Sequence, residues 1–150
     1  MGKLVIASGP TLVTERLPCV RATFHGPDED PFLAIAATDE RGTVYGVDYG
    51  SVRPGLVEIV RSEAHAIRGN HVHRTCAETF TVLSGDVSVF LLCGCPGRHL
   101  LEERMVAGST VSIAPGTPHA LFARTRSESV SAYAGGDPRH DRDRVTLVEY

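Results

Sequence analysis

The stretch Arg68-Gly69-Asn70-His71-Val72-His73, followed by Glu78 and then Gly85, decides how this chain is read. Side chains at i and i+2 of a strand leave the same face, so His71 and His73 point into one space where two imidazoles can share a metal. Val72 then faces the other way. Glu78 lies five residues beyond His73, an odd offset that a straight strand would send to the opposite face. The chain is therefore expected to turn or bulge within Arg74-Thr75-Cys76-Ala77, so that the next strand, residues 78–84, returns the carboxylate toward the two imidazoles. That strand ends at Gly85, where a tight turn can use a residue without a Cβ.

A fourth group comes later in the chain. Ser109-Thr110-Val111-Ser112-Ile113 reads as a strand and Ala114-Pro115-Gly116-Thr117-Pro118 as a turn stiffened by two prolines, and His119 opens the following strand. Three imidazoles and a carboxylate suit one divalent metal, Zn, Fe, Mn, Ni or Co, with open positions left for substrate or water. The expected ligands are His71, His73, Glu78 and His119.

Working outward, short apolar or alternating runs recur at 4–7, 12–17, 32–37, 43–49, 56–61, 79–83, 87–92, 110–113, 120–123, 130–133 and 145–148. Turn residues such as Gly26-Pro27-Asp28, Asp39-Glu40-Arg41-Gly42 and Ser84-Gly85-Asp86 separate them, which is the punctuation of an all-β sandwich or barrel. No segment keeps a 3.6-residue apolar period over three turns, and there is no internal repeat or linker. One all-β domain over residues 1–150 is expected, a length that can bury its own core.

Composition narrows the function classes. A net charge of −3, with arginine scattered along the chain, does not suggest a nucleic-acid partner. No apolar run approaches the roughly 18–20 residues that span a bilayer, so a soluble, cytoplasmic protein is expected. Free thiols are expected for Cys19, Cys76, Cys93 and Cys95, and Cys93-Gly94-Cys95-Pro96 reads as a turn.

His71-x-His73, four residues, Glu78, six residues, Gly85 resembles the first motif of the cupins. Gly108, seven residues, Gly116, two residues, His119 resembles the second. The chain departs from the pattern at His65, where the first motif opens on glycine, at Ala114, where the second expects proline, and at Ala123, often asparagine. None of these is a ligand, so the departures bear on turn geometry. The resemblance implies a jelly-roll barrel, the cupin double-stranded β-helix.

The run from Arg68 through Thr75, Glu78, Phe80, Val82, Ser84 and Gly85 is similar to the C-terminal zinc cupin of bifunctional capsular-polysaccharide enzymes. Asp39-Glu40-Arg41-Gly42 followed by Arg68-Gly69-Asn70-His71 resembles the order in nucleotide-sugar epimerases and ketoisomerases. The tail Asp137-Pro138-Arg139-His140-Asp141 sits where such domains carry a similar segment. This likeness covers roughly residues 39–145 and implies a small-molecule sugar substrate.

Arg41 and Arg68 are the candidate substrate contacts, because a guanidinium fork grips a diphosphate or carboxylate in two places; the other reading is a solvated or ion-paired arginine. Arg68 stands three residues before His71, on the opposite face unless the strand bends at Gly69. Tyr133 is the candidate acid beside Glu78, or else a packed tyrosine. His25, His65, His99 and His140 have no partners at ligand spacing. Phe80, Val82 and Phe122 read as core or cavity wall.

The leading function is epimerisation or isomerisation of a keto-sugar by a metal-dependent enzyme, with iron oxygenation, lyase action or rearrangement as other chemistries of the same ligand set. The non-enzymatic alternative is a metal-anchored binding module. A homodimer is expected, with the strands before Phe32 pairing across to a neighbouring barrel.

Overall fold

Alternation of large apolar and polar side chains gives each short run one face to bury, and the turn residues stop it before it lengthens. The structure, a computed structural model, describes residues 2–17, 20–27, 29, 33–94 and 98–150. Among these are fifteen strands and no helix: β1 (Val5–Ile6), β2 (Thr11–Val13), β3 (Ala22–His25), β4 (Leu33–Asp39), β5 (Gly42–Val47), β6 (Leu56–Ser62), β7 (Ile67–Val72), β8 (Ala77–Ser84), β9 (Asp86–Cys93), β10 (His99–Val106), β11 (Thr110–Ile113), β12 (His119–Ala123), β13 (Ser127–Ala134), β14 (Asp143–Arg144) and β15 (Val148–Glu149). No helix is therefore long and apolar enough to cross a membrane.

Two sheets carry the fold. One runs β14-β7-β12-β9-β10-β2 and the other β3-β11-β8-β13-β6. Val89 and Leu91 of β9, Leu101 and Met105 of β10, Phe80 and Val82 of β8, and Val111 and Ile113 of β11 form one buried cluster, so the core lies between the two sheets. The alternate residues of the six-stranded sheet point the other way. Phe90, Leu100, Ala120 and Phe122 pack there under Leu147 and Val148 of the C-terminal segment, with Leu4 and Ile6 alongside. Burial on both faces explains why β9 and β12 read as continuous apolar runs.

The N-terminal strands pair within the chain, β1 with β15, β2 with β10 in parallel and β3 with β11, and β2 and β3 each form an edge of their sheet. Phe32, Cys19 and Cys95, for which expectations were stated above, lie outside the described residues. Cys76 is a buried free thiol as expected, whereas Cys93 is disulfide-bonded, against expectation. β4 and β5 form a separate two-stranded hairpin. The strands β3, β10 and β14 have no counterpart among the expected runs. β10 was hidden by Glu102-Glu103-Arg104 at its centre. Those charges are met by neighbouring side chains: Glu102 by Arg124, Glu103 by Arg16 and Arg104 by Asp86.

Candidate metal centre and its cavity

Each ligand candidate is delivered by a different piece of backbone. His71 lies on β7, directly opposite His119 on β12. His73 is the first residue past β7, and Glu78 stands on β8 in the other sheet. The turn expected within residues 74–77 is thus the crossing from one sheet to the other. It brings Glu78 in from the facing side, which is how an odd offset still converges.

The four side chains meet. One ligand atom from each of His71, His73, Glu78 and His119 lies within 4.8 Å of the others, and all but His71 are buried. Backbone carbonyls aim two of the imidazoles. His73 Nδ1 lies 2.7 Å from the Asp141 carbonyl oxygen and His119 Nδ1 lies 2.9 Å from that of Thr117. A carbonyl can only accept, so each Nδ1 carries the proton and, in the neutral ring, each Nε2 presents a lone pair to the centre. Glu78 divides its oxygens in the same way. Oε1 accepts from Ser131 Oγ at 3.0 Å and from Tyr133 Oη at 3.3 Å.

Oε2 of Glu78 is left facing His119 Nε2 at 3.0 Å and His73 Nε2 at 3.7 Å. None of these three buried atoms has a hydrogen-bond partner. Buried polar atoms left unpaired cost about 1–3 kcal/mol each, and three converging on one point are what a cation replaces. The residues present therefore fit a divalent metal, on the chemistry of the donor set and on its orphaned atoms.

Burial and neighbouring charges set the protonation of these groups, and the shifts do not all run the same way. Burial disfavours the imidazolium of His71, and the neighbouring His119 and His73 add to it, so its pKa is pushed down to about 4. Burial would raise the Glu78 carboxyl, but the imidazoles of His119 and His73 beside it hold it well below the usual carboxylate range. Burial also lowers His73, yet Glu78 and the Asp141 carbonyl outweigh it and the net shift is upward. Tyr133 is raised by burial first and by the charge of Glu78 second, so its phenol keeps its proton at neutral pH.

A cavity of about 320 Å³ opens above the group, within the range of small-molecule sites. Tyr133 and Ser131 of β13, Glu58 of β6, Arg68 of β7 and Arg139 and Arg142 of the C-terminal segment line it. Arg68 shares the cavity with His71 despite their odd separation. Gly69 and Asn70 both adopt left-handed φ, 80° and 53°, and the pairing steps from His119 with His71 to Ala120 with Gly69. Asn70 is the extra residue of a β-bulge, and one extra residue inverts the parity. The guanidinium of Arg68 donates to Ser62 Oγ at 3.0 Å and to the Arg61 carbonyl at 2.9 Å. Arg41 sits elsewhere, in the turn of the β4–β5 hairpin and ion-paired with Asp39, and does not line this cavity.

The three departures from the cupin pattern leave the turns intact. His65 holds a left-handed φ of 71° where that pattern has glycine, and Gly116, φ 81°, donates its N–H to the His73 carbonyl at 2.6 Å. Two contributors escaped the sequence pattern. Ser131 could have been found by parity, since it lies two residues before Tyr133 and shares its face. Asp141 could not, because its role is a backbone carbonyl.

No family model and no curated protein matches the chain. Solved structures do. A 3,4-ketoisomerase from Helicobacter canadensis superposes with a TM-score of 0.62 at 10% identity, over 83% of this chain and 91% of that one. ChmJ, a 3'-monoepimerase from Streptomyces bikiniensis in complex with dTDP-quinovose, gives 0.64 at 16% identity over 86% and 71%. The capsular polysaccharide assembling protein CapF from Staphylococcus aureus gives 0.55 at 23% identity over 77% of this chain and 33% of its own. At such identities the likeness establishes architecture, and the chain has the cupin jelly-roll fold found in sugar ketoisomerases and epimerases.

Proposed function

We propose that the protein is a metal-dependent isomerase or epimerase of a nucleotide-linked keto-sugar. The observation that carries this reading is the convergence of His73 Nε2, His119 Nε2 and Glu78 Oε2, buried and without hydrogen-bond partners, at the base of an open cavity. His71, His73, Glu78 and His119 would hold one divalent ion, Zn, Fe, Ni, Mn or Co. When bound, the ion supplies a Lewis acid for a substrate carbonyl. The substrate class is supported by solved structures of the same fold that hold dTDP or dTDP-quinovose.

The chain's own residues supply the rest. Tyr133, protonated at neutral pH and facing the cavity, is the acid that can donate its phenol proton to a substrate oxygen as negative charge builds there. Glu78 couples acid and metal group, since its Oε1 accepts from Tyr133 while its Oε2 faces the imidazoles. Arg68, brought to the cavity wall by the bulge, is the contact for a substrate oxygen anion; Arg41 has no place at this site within a single chain.

Elemental analysis of the purified protein together with turnover of a panel of nucleotide-linked keto-sugars tests the reading. Chelation should abolish turnover and one equivalent of a divalent ion should restore it. Turnover that survives chelation would remove the metal from the mechanism, and no turnover on any member of the panel would remove the isomerase. A homodimer is part of the same proposal. It is supported by exposed apolar residues on β6, the edge strand of its sheet, where Val57 and Ile59 are 48% and 74% exposed, and by Val44 and Tyr45 on the separate hairpin.

A further inference from the structure

Cationic side chains in this chain are arginines with one exception, Lys3, and the segment 137–144 alternates the two signs of charge through Asp137, Arg139, Asp141, Arg142, Asp143 and Arg144. This segment runs along the mouth of the cavity. β14 pairs with β7, setting Asp143 opposite Val72 and Arg144 opposite His71. Its carboxylates are all engaged. Asp137 pairs with Arg139 at 2.7 Å, and Asp143 pairs with Arg74. Asp141 accepts from the backbone N–H groups of Arg74, Thr75 and Cys76 at 3.0, 2.7 and 2.9 Å. Among the described residues, Arg142 and Arg144 have no carboxylate partner.

These two residues meet at one depression. Lying at i and i+2, they line a shallow depression of about 390 Å³ together with Ile67, Gly69, Asn70 and His71. Arg142, Ile67, Gly69 and His71 also line the main cavity, so the depression adjoins it. A protein of net charge −3 has acids to spare, yet two neighbouring cations beside its candidate centre are left without one. Like charges so placed repel until an anion joins them, and a guanidinium fork suits phosphoryl oxygens better than an ammonium does.

We propose that Arg142 and Arg144 form a phosphoryl subsite: a phosphate or diphosphate on the substrate rests on the two guanidiniums while its reactive end reaches His71, His73, Glu78 and His119. The reactive end rests on the function proposed above; the anion subsite does not. The test is calorimetric binding of thymidine 5'-diphosphate, inorganic pyrophosphate and thymidine to the full-length purified protein, with metal content and thermal midpoint measured on the same samples.

Both phosphorylated probes should bind the wild type more weakly as salt is raised. Arg142→Ala and Arg144→Ala should each weaken them about tenfold, the loss expected for one charge-assisted contact, and the double variant further. Arg53→Ala removes one exposed arginine that does not line the cavity and should leave affinity unchanged. The subsite is overturned if neither phosphorylated probe binds the wild type, if the double variant binds as well as the wild type, or if Arg53→Ala weakens binding equally. If no keto-sugar turns over but diphosphate binding still depends on the two arginines, the proposed function falls and the subsite stands. Turnover with a KM indifferent to both substitutions removes the subsite and leaves the proposed function standing.

Discussion

Glu78 concentrates the chemistry of the site in one carboxylate. Its Oε1 is satisfied by Ser131 and Tyr133, and its Oε2 is turned to two imidazoles with no hydrogen bond to either. Substituting any one of His71, His73 or Glu78 by alanine is expected to cut bound metal at least about tenfold while the barrel stays folded, because outer partners alone are worth that much and these are direct ligands. Full metal content in all three variants, by elemental analysis, would end the metal assignment. Tyr133→Phe separates the acid from a packed tyrosine. It removes only the hydroxyl 3.3 Å from Glu78, so metal content should hold while kcat falls by roughly 10²–10⁴, the usual contribution of a positioned acid. An unchanged kcat returns Tyr133 to the core.

β7 shows how a single extra residue builds a site. A Cβ on Gly69 would stand 2.9 Å from the His119 carbonyl oxygen and 3.2 Å from Ala120 Cα, and φ is 80°, so β7 and β12 approach closely only because this residue has no side chain. Gly69→Ala is expected to cost about 1–3 kcal/mol and to lower metal occupancy, since it pushes His71 away from His119. Gly85 is the comparison. A Cβ there would lie 2.5 Å from the Arg126 carbonyl oxygen, remote from the ligands, so Gly85→Ala should lose stability in urea but keep its metal content per folded molecule. Equal metal loss in both variants would mean that the bulge has no special tie to the site.

The loop after β7 depends on Asp141, whose carboxyl is held well below its ordinary value near 3.8, first by the Thr75 hydroxyl and then by the backbone N–H groups of residues 74–76. A carboxyl with a depressed folded-state pKa contributes stability above its unfolded pKa and loses it as pH falls through the folded value. Stability should therefore decline below about pH 4, and Asp141→Asn should flatten that decline while lowering stability at neutral pH. Urea midpoints measured from pH 7 to pH 2 decide this, and identical slopes in both proteins would exclude Asp141 as a source of the acid loss.

Across the molecule the division of labour is between two sheets that pack a dry core and one end of that barrel that stays polar. Phe80 and Leu121 line the cavity and also belong to the core cluster, so the floor of the site is the roof of the core. The fold accordingly has its own apolar support, and removing metal is expected to leave it folded. The exposed edge at β6 belongs to this scale too. Ile59→Arg should convert a homodimer to a monomer by light scattering at micromolar concentration, and a monomeric wild type would contradict the dimer.

Most of the strands and the four ligand candidates were legible in the chain, because both rest on local rules: period-two alternation, turn residues, and the same-face spacing of His71 and His73. The sequence also placed Tyr133 on a late strand. Whatever depends on distant partners was decided by the tertiary structure. β10 was illegible because its charges look like a loop until Arg124, Arg16 and Asp86 arrive from elsewhere in the chain. The parity of Arg68 hung on Asn70 being the extra residue of a bulge, which becomes visible only in the register against β12. Arg41 shared the residue type of Arg68 and not its location, since the hairpin that bears it is a sheet of its own. Asp141 aims His73 through a carbonyl that every residue possesses, so no side-chain pattern could have announced it.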